Sequence, residues 1–155
     1  MKIYSLHSQQ QIPISLHEAW DFFSSPANLK TMTPPNIGFE ITSAFSNEKM
    51  YNGQIITYIV KPLAGIPLTW VTEITHVQEP HYFVDEQRFG PYALWHHKHF
   101  FKEIKGGVEM TDHVHYALPL GILGRFANTI LVENQLKQIF DFRFQKMKEI
   151  FGEIK

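Results

Sequence analysis

The chain has no cysteine. That absence removes disulfide staples, thiolate nucleophiles and cysteine-based zinc sites together. Long apolar runs are missing too: the longest stretch of that kind, Ile55-Ile56-Thr57-Tyr58-Ile59-Val60, falls far short of the roughly 20 residues that a membrane span requires. The opening residues, Met1 to His7, lack the apolar core of a secretory signal. Charge of one sign is absent as well. The formal net charge is −1, with no basic run and no acidic tail, so the concentrated positive surface that holds nucleic acid is not there. No phosphate loop, dinucleotide fingerprint, HExxH pair or nucleophile elbow occurs. Gly121-Ile122-Leu123-Gly124 precedes a helical pattern but lacks the third glycine and the lysine of such loops. These absences point to a cytoplasmic protein with no nucleic-acid partner, no membrane span and no cofactor.

What is present is a globular composition. With 155 residues, 44% of them apolar and thirteen of them phenylalanine, the chain makes one domain, 1–155, that buries about two-thirds of its unfolded surface. So heavy an aromatic load suits a packed core or an aromatic-lined cavity. Ile3 to Ile12 reads as an edge strand ending at Pro13. Ser15 and Glu18 form a capping box, and Ala19, Trp20, Phe22 and Phe23 continue a short helix as far as Ser24-Ser25-Pro26. Ala27 to Thr33 suggests a second short helical turn. From Gly38 the period becomes that of strands: Phe39–Phe45, Gln54–Lys61, Leu68–Gln78, Tyr82–Phe89, Ala93–Ile104 and Val108–Leu118, divided by glycine and proline turn signals. After Pro119, apolar residues recur at three- and four-residue steps (Leu123, Phe126, Ala127, Ile130, Leu131, Leu136, Phe140, Met147, Phe151), which predicts one long helix from about Gly124 to Gly152. A curved antiparallel sheet covered by a single long helix is an α+β container.

Strand register locates the polar groups. A Gly106-Gly107 two-residue turn pairs Lys105 with Val108; Phe101 then faces Asp112, His99 faces Val114, and His97 faces Tyr116. Alternation along the strands puts Trp95, His97, His99, Phe101, Asp112, Val114 and Tyr116 on one face. His96, Lys98, Lys102, Thr111, His113 and His115 take the other, wet face. A three-residue Gly90-Pro91-Tyr92 loop sets Asp85 opposite His97, Phe83 opposite His99 and Gln87 opposite Trp95. A two-residue Pro80-His81 turn adds Trp70, Thr72 and Ile74 to the same face. The concave face is therefore aromatic with a few polar groups inset, the usual composition of a small-molecule site.

Three chemistries suit those polar groups. His97 with Asp85, and His99 with Asp112, can satisfy one another as buried pairs, the commonest arrangement for such groups. The same four residues are the candidate catalytic set, because a histidine beside a carboxylate can be tuned for general acid–base work. Two imidazoles and a carboxylate also suit zinc or iron, but the spacing of two histidines along a strand assigns no metal by itself. The ligand-binding candidates are Trp70, Phe83, Gln87, Trp95, His97, His99, Tyr116 and Phe126. Arg125 is a candidate cation at the cavity mouth, with a solvated role as its plainer reading.

The order of elements, together with certain local runs, resembles the START/polyketide-cyclase (SRPBCC) superfamily over nearly the whole chain. The runs are His17-Glu18-Ala19-Trp20-Asp21-Phe22-Phe23-Ser24-Ser25-Pro26-Ala27-Asn28-Leu29 and Phe83-Val84-Asp85-Glu86-Gln87-Arg88-Phe89-Gly90-Pro91-Tyr92 leading into Trp95-His96-His97. Met110-Thr111-Asp112 and Tyr116-Ala117-Leu118-Pro119 complete the set, which is similar to a bacterial subgroup described as ligand-binding or cyclase/dehydrase-like. The resemblance implies a helix-grip fold with two short helices after the first strand. It also implies a cavity between sheet and last helix for a hydrophobic or aromatic, lipid- or polyketide-like molecule. A cyclase or dehydratase enzyme using a His/Asp pair is the alternative, and an interaction or stress-response domain with a filled core is the third. The resemblance carries no shared catalytic motif, and fold alone does not fix function.

Overall fold

The computed structural model describes residues 1–43, 49–63, 65–121 and 131–154, apart from the side chains of residues 62 and 63. Strand β1 (Tyr4–Ile12) is followed by helix α1 (Leu16–Phe23) and two 3-10 turns, Pro26–Asn28 and Pro35–Ile37. Six strands come next: β2 (Glu40–Ile41), β3 (Gln54–Leu63), β4 (Ile66–Gln78), β5 (Tyr82–Phe89), β6 (Leu94–Ile104) and β7 (Gly107–Ala117). Helix α2 (Glu133–Phe151) closes the chain. All neighbours in the sheet are antiparallel, in the order β1-β7-β6-β5-β4-β3-β2. The result is a helix-grip arrangement, a curved sheet with the long helix against it. No helix among the described residues is long and apolar enough to cross a membrane, which leaves a β-barrel unaddressed.

Local chemistry sets these elements. Ser15 Oγ accepts from the Glu18 amide at 3.2 Å, and Glu18 Oε2 accepts from the Ser15 amide at 2.8 Å, so the capping box starts α1 where expected. Ala19, Trp20 and Phe23 form its buried face, and Trp20 meets Phe83 and Phe101 edge-on at 6.0 and 5.9 Å. The second helix expected over Ala27 to Thr33 is instead the 3-10 turn Pro26–Asn28. Of the strand expected over Phe39–Phe45, two residues form β2, and residues 44 and 45 lie outside the described residues. Helix α2 ends at Gly152, whose amide donates to Lys148 O at 2.9 Å with φ at +88°. Leu136, Phe140 and Met147 form its buried stripe. The expected earlier turns, with Leu123, Phe126, Ala127 and Ile130, lie outside the described residues.

Two registers differ from the sequence reading. Ile104 pairs with Gly107, so the β6–β7 turn is Lys105-Gly106, not Gly106-Gly107. His99 consequently faces Asp112, His97 faces Val114, and Trp95 faces Tyr116. The physical reason is that Gly107 serves the sheet and not the turn: a Cβ there would lie 2.1 Å from Ile12 O at the end of β1. The slip is two residues, so every side chain keeps its face. The β4–β5 connection is one residue longer than expected, with Gln78 opposite Tyr82. A bulge between Ile74 and His76 takes up that residue and restores Trp70, Thr72 and Ile74 to the concave side. The β5–β6 register is the expected one, with Asp85 opposite His97 and Phe83 opposite His99.

Candidate functional site

A cavity of about 550 Å³ lies between the concave sheet, the Leu29–Ile37 segment and α2. Its wall is mainly apolar and aromatic, with Met32, Ile56, Tyr58, Trp70, Phe83 and Phe140 among the lining. Trp70 stacks on Tyr58 at 5.8 Å and meets Trp95 edge-on at 5.4 Å, which ties strands β3, β4 and β6 into one aromatic surface. The Tyr58 hydroxyl lies 2.8 Å from Thr72 Oγ1. Burial pushes the Tyr58 phenol well up, against the pull of that hydrogen bond.

One part of the wall is polar. Asp85 on β5, His97 and His99 on β6 and Arg143 on α2 all reach the cavity, while Asp112 on β7 lies behind them. His97 Nε2 and Asp112 Oδ1 share a hydrogen bond of 2.8 Å, and His99 Nε2 and Asp85 Oδ2 share one of 2.9 Å. Two further contacts complete a ring. His97 Nδ1 is 3.4 Å from Asp85 Oδ2, and His99 Nδ1 is 2.9 Å from Asp112 Oδ1. The latter is close but poorly aligned, which leaves Nδ1 of His99 without a hydrogen bond among the described residues. Trp95 Nε1 donates to Asp85 Oδ1 at 3.3 Å, and Arg143 Nη1 lies 3.4 Å from Asp112 Oδ1. The two imidazole rings are 3.8 Å apart between centroids.

These contacts separate the proton affinities. Burial lowers His97, reinforced by charge on His99 and opposed by the two carboxylates. Burial acts the same way on His99, but its contacts with Asp112 and Asp85 outweigh it and raise that imidazole. Burial opposes ionisation of Asp112, yet Arg143 and the two histidines hold it well below the usual carboxylate range. Asp85 is held low against burial by His97, His99 and Trp95.

The remaining candidates separate. Trp70, Phe83, Trp95, His97 and His99 line the cavity. Gln87 is turned to the β5–β6 loop, where Nε2 donates to Tyr92 O at 2.7 Å and Oε1 accepts from the Tyr92 amide at 3.2 Å. Tyr116 is buried beside Tyr4 and Tyr92 and is not part of the lining. Phe126 and Arg125 lie outside the described residues. Arg143 is the cation that sequence reasoning missed. It stands seven residues after Leu136 and three after Phe140, on the buried stripe of an amphipathic helix, and an arginine at such a position needs a partner.

No family model and no curated protein matches the chain. Solved structures do. Protein CV1439 from Chromobacterium violaceum matches with a TM-score of 0.71 at 9% identity, over 97% of this chain and 98% of that one. Protein Ms6760 from Mycobacterium smegmatis matches at 0.66 and 16% identity, over 97% and 98%. Ara h 8.0201 matches at 0.62 and 13% identity, over 96% and 99%. At these identities the likeness is one of fold alone.

Proposed function

We propose that this chain binds a hydrophobic or aromatic small molecule, lipid- or polyketide-like, between the concave sheet and α2. The observation that carries the reading is a mainly apolar cavity of about 550 Å³ with one cluster of charged and titratable groups in its wall. That size and composition are typical of small-molecule sites. A filled core, as a pure interaction domain would have, leaves no space of that size. Each 100 Å² of apolar ligand surface buried contributes about 2.5 kcal/mol before ordering costs. The polar end of the molecule carries an acceptor oxygen. Arg143, His97 and His99 on the lining are the side chains that can donate to it.

The test is native mass spectrometry of freshly purified protein with denaturing extraction of whatever is bound. A reproducible apolar compound with an oxygenated end is the expected result. In parallel, Leu136→Trp, which fills part of the lined space, should weaken uptake of a fluorescent apolar probe at least tenfold. A clean ligand-free mass together with no saturable uptake of any apolar probe would refute the reading. The alternative is a cyclase- or dehydratase-type enzyme. It is favoured by the His99–Asp85 pair, a proton-transfer couple 2.9 Å long that opens onto the cavity. It requires turnover that disappears in His99→Gln while ligand binding persists.

A further inference from the structure

We infer that Asp85, His97 and His99 form a three-ligand site for a divalent transition-metal ion on the cavity wall. The convergence of these three side chains on one point of the wall makes the case, and a count of N–H groups agrees with it. Four nitrogen–oxygen contacts, 2.8 to 3.4 Å long, link the two imidazoles to the two carboxylates. Two neutral imidazoles carry only two N–H groups. In that neutral form two of the four contacts set a nitrogen lone pair against a carboxylate oxygen, in a buried place where such repulsion is poorly screened. One cation resolves both. Placed among Asp85 Oδ2, His97 Nδ1 and His99 Nε2, it takes one lone pair from each ring and leaves the other nitrogens, His97 Nε2 and His99 Nδ1, 2.8 and 2.9 Å from Asp112 Oδ1.

The geometry fits that assignment. One ligand atom from each of Asp85, His97 and His99 lies within 4.8 Å of the other two. An ion about 2.1 Å from each ligand sets neighbouring ligands roughly 3.0–3.4 Å apart, octahedral to tetrahedral. Asp85 Oδ2 stands 2.9 Å from His99 Nε2 and 3.4 Å from His97 Nδ1. The support behind the ligands is present as well. Asp112 backs both histidines, Trp95 holds the other oxygen of Asp85, and Arg143 offsets the charge of Asp112. The three ligands line the cavity and Asp112 does not, so open coordination positions face the cavity, as in metal sites that accept a further ligand. Two imidazoles and one carboxylate suit zinc or ferrous iron. An oxygen of a bound molecule can take an open position, which deepens the reading above; the ion needs no such molecule, and each idea can fail without the other.

The test uses the tag-free 155-residue chain, titrated with Zn²⁺ against a chromophoric chelator, and with Fe²⁺ without oxygen. The expected result is one saturable ion per chain, the tighter of the two metals naming the resident class. Asp112→Asn should weaken binding about 10–100-fold through loss of the support, and Asp85→Asn should weaken it more. His7 and His113 form a second histidine pair on the outer face, with rings 4.5 Å apart, so His113→Gln must leave affinity unchanged. X-ray absorption of the zinc-loaded wild type should show two imidazoles and does not depend on any variant folding. Absence of saturable binding by either ion, loss in His113→Gln, full affinity in folded Asp85→Asn, or a shell without two imidazoles would each overturn the site.

Discussion

Replacing Arg143 with methionine tests whether the polar cluster is held together by charge. In metal-free protein Asp112 is buried, and Arg143 is its only fixed positive neighbour among the described residues, at 3.4 Å. Removing one partner of a buried pair costs about 3–5 kcal/mol. Both histidines remain beside Asp112, which puts the loss near the lower figure. Arg143 also brings a buried Nε without a partner among the described residues, and relief of that group returns about 1 kcal/mol. Methionine keeps an apolar stem against Phe140, over whose ring the guanidinium now lies at 5.0 Å. The net destabilisation is about 2 kcal/mol, or roughly 6 °C in Tm for a chain of this size. Urea and thermal unfolding of Arg143→Met, Asp112→Asn and the double variant measure it. In the double variant the second substitution should cost at least 1 kcal/mol less than it does alone. A single variant within about 0.5 kcal/mol of wild type, the range of ordinary surface changes, or an additive cycle, would refute the argument.

Two further substitutions check the frame of the site. Gly107→Ala drives a Cβ to within 2.1 Å of Ile12 O and should cost about 3 kcal/mol. Gly106→Ala meets nothing nearer than Ile154 at 3.7 Å but keeps φ at +87°, for about 1 kcal/mol; equal costs in urea unfolding would refute the assignment of the two glycines. Gln87→Leu removes both hydrogen bonds to Tyr92, for about 2 kcal/mol. It should abolish hydrogen-exchange protection of the Tyr92 amide while the middle of β5 stays protected, and a Tyr92 amide that keeps its protection would dismiss the clamp.

The fold was legible because its signals are local and repeated. The Ser15–Glu18 box and the glycine at 152 each act within a few residues and appear where the sequence places them, as do the strand period from Gln54 to Ala117 and the helix period from Glu133 to Phe151. Errors arose where a residue serves a distant partner. Gly107 looks like half of a glycine turn, yet its role is set by Ile12, far away in the chain. The face assignment survived because that slip was even and because the Thr75 bulge absorbed the odd residue in β4–β5. Alternation thus protects the inside–outside reading more strongly than it protects the register.

The wiring of the polar cluster was not legible, and geometry explains why. The sequence reading joined each histidine to one carboxylate, Asp85 to His97 and Asp112 to His99. In the sheet those residues do stand directly opposite one another. The hydrogen bonds nevertheless run diagonally, from His97 to Asp112 and from His99 to Asp85. An imidazole is long enough to reach a diagonal neighbour, and with β6 between β5 and β7 each histidine has a carboxylate on both sides. Two residues on one strand between two carboxylates therefore make a closed ring and not two pairs. A closed ring of four contacts with two N–H groups is short of cations, a property of the assembled sheet that no single strand carries. Arg143 supplies one positive charge from the helix, at Asp112. What balances Asp85, on the cavity side, must come as a proton or as an ion.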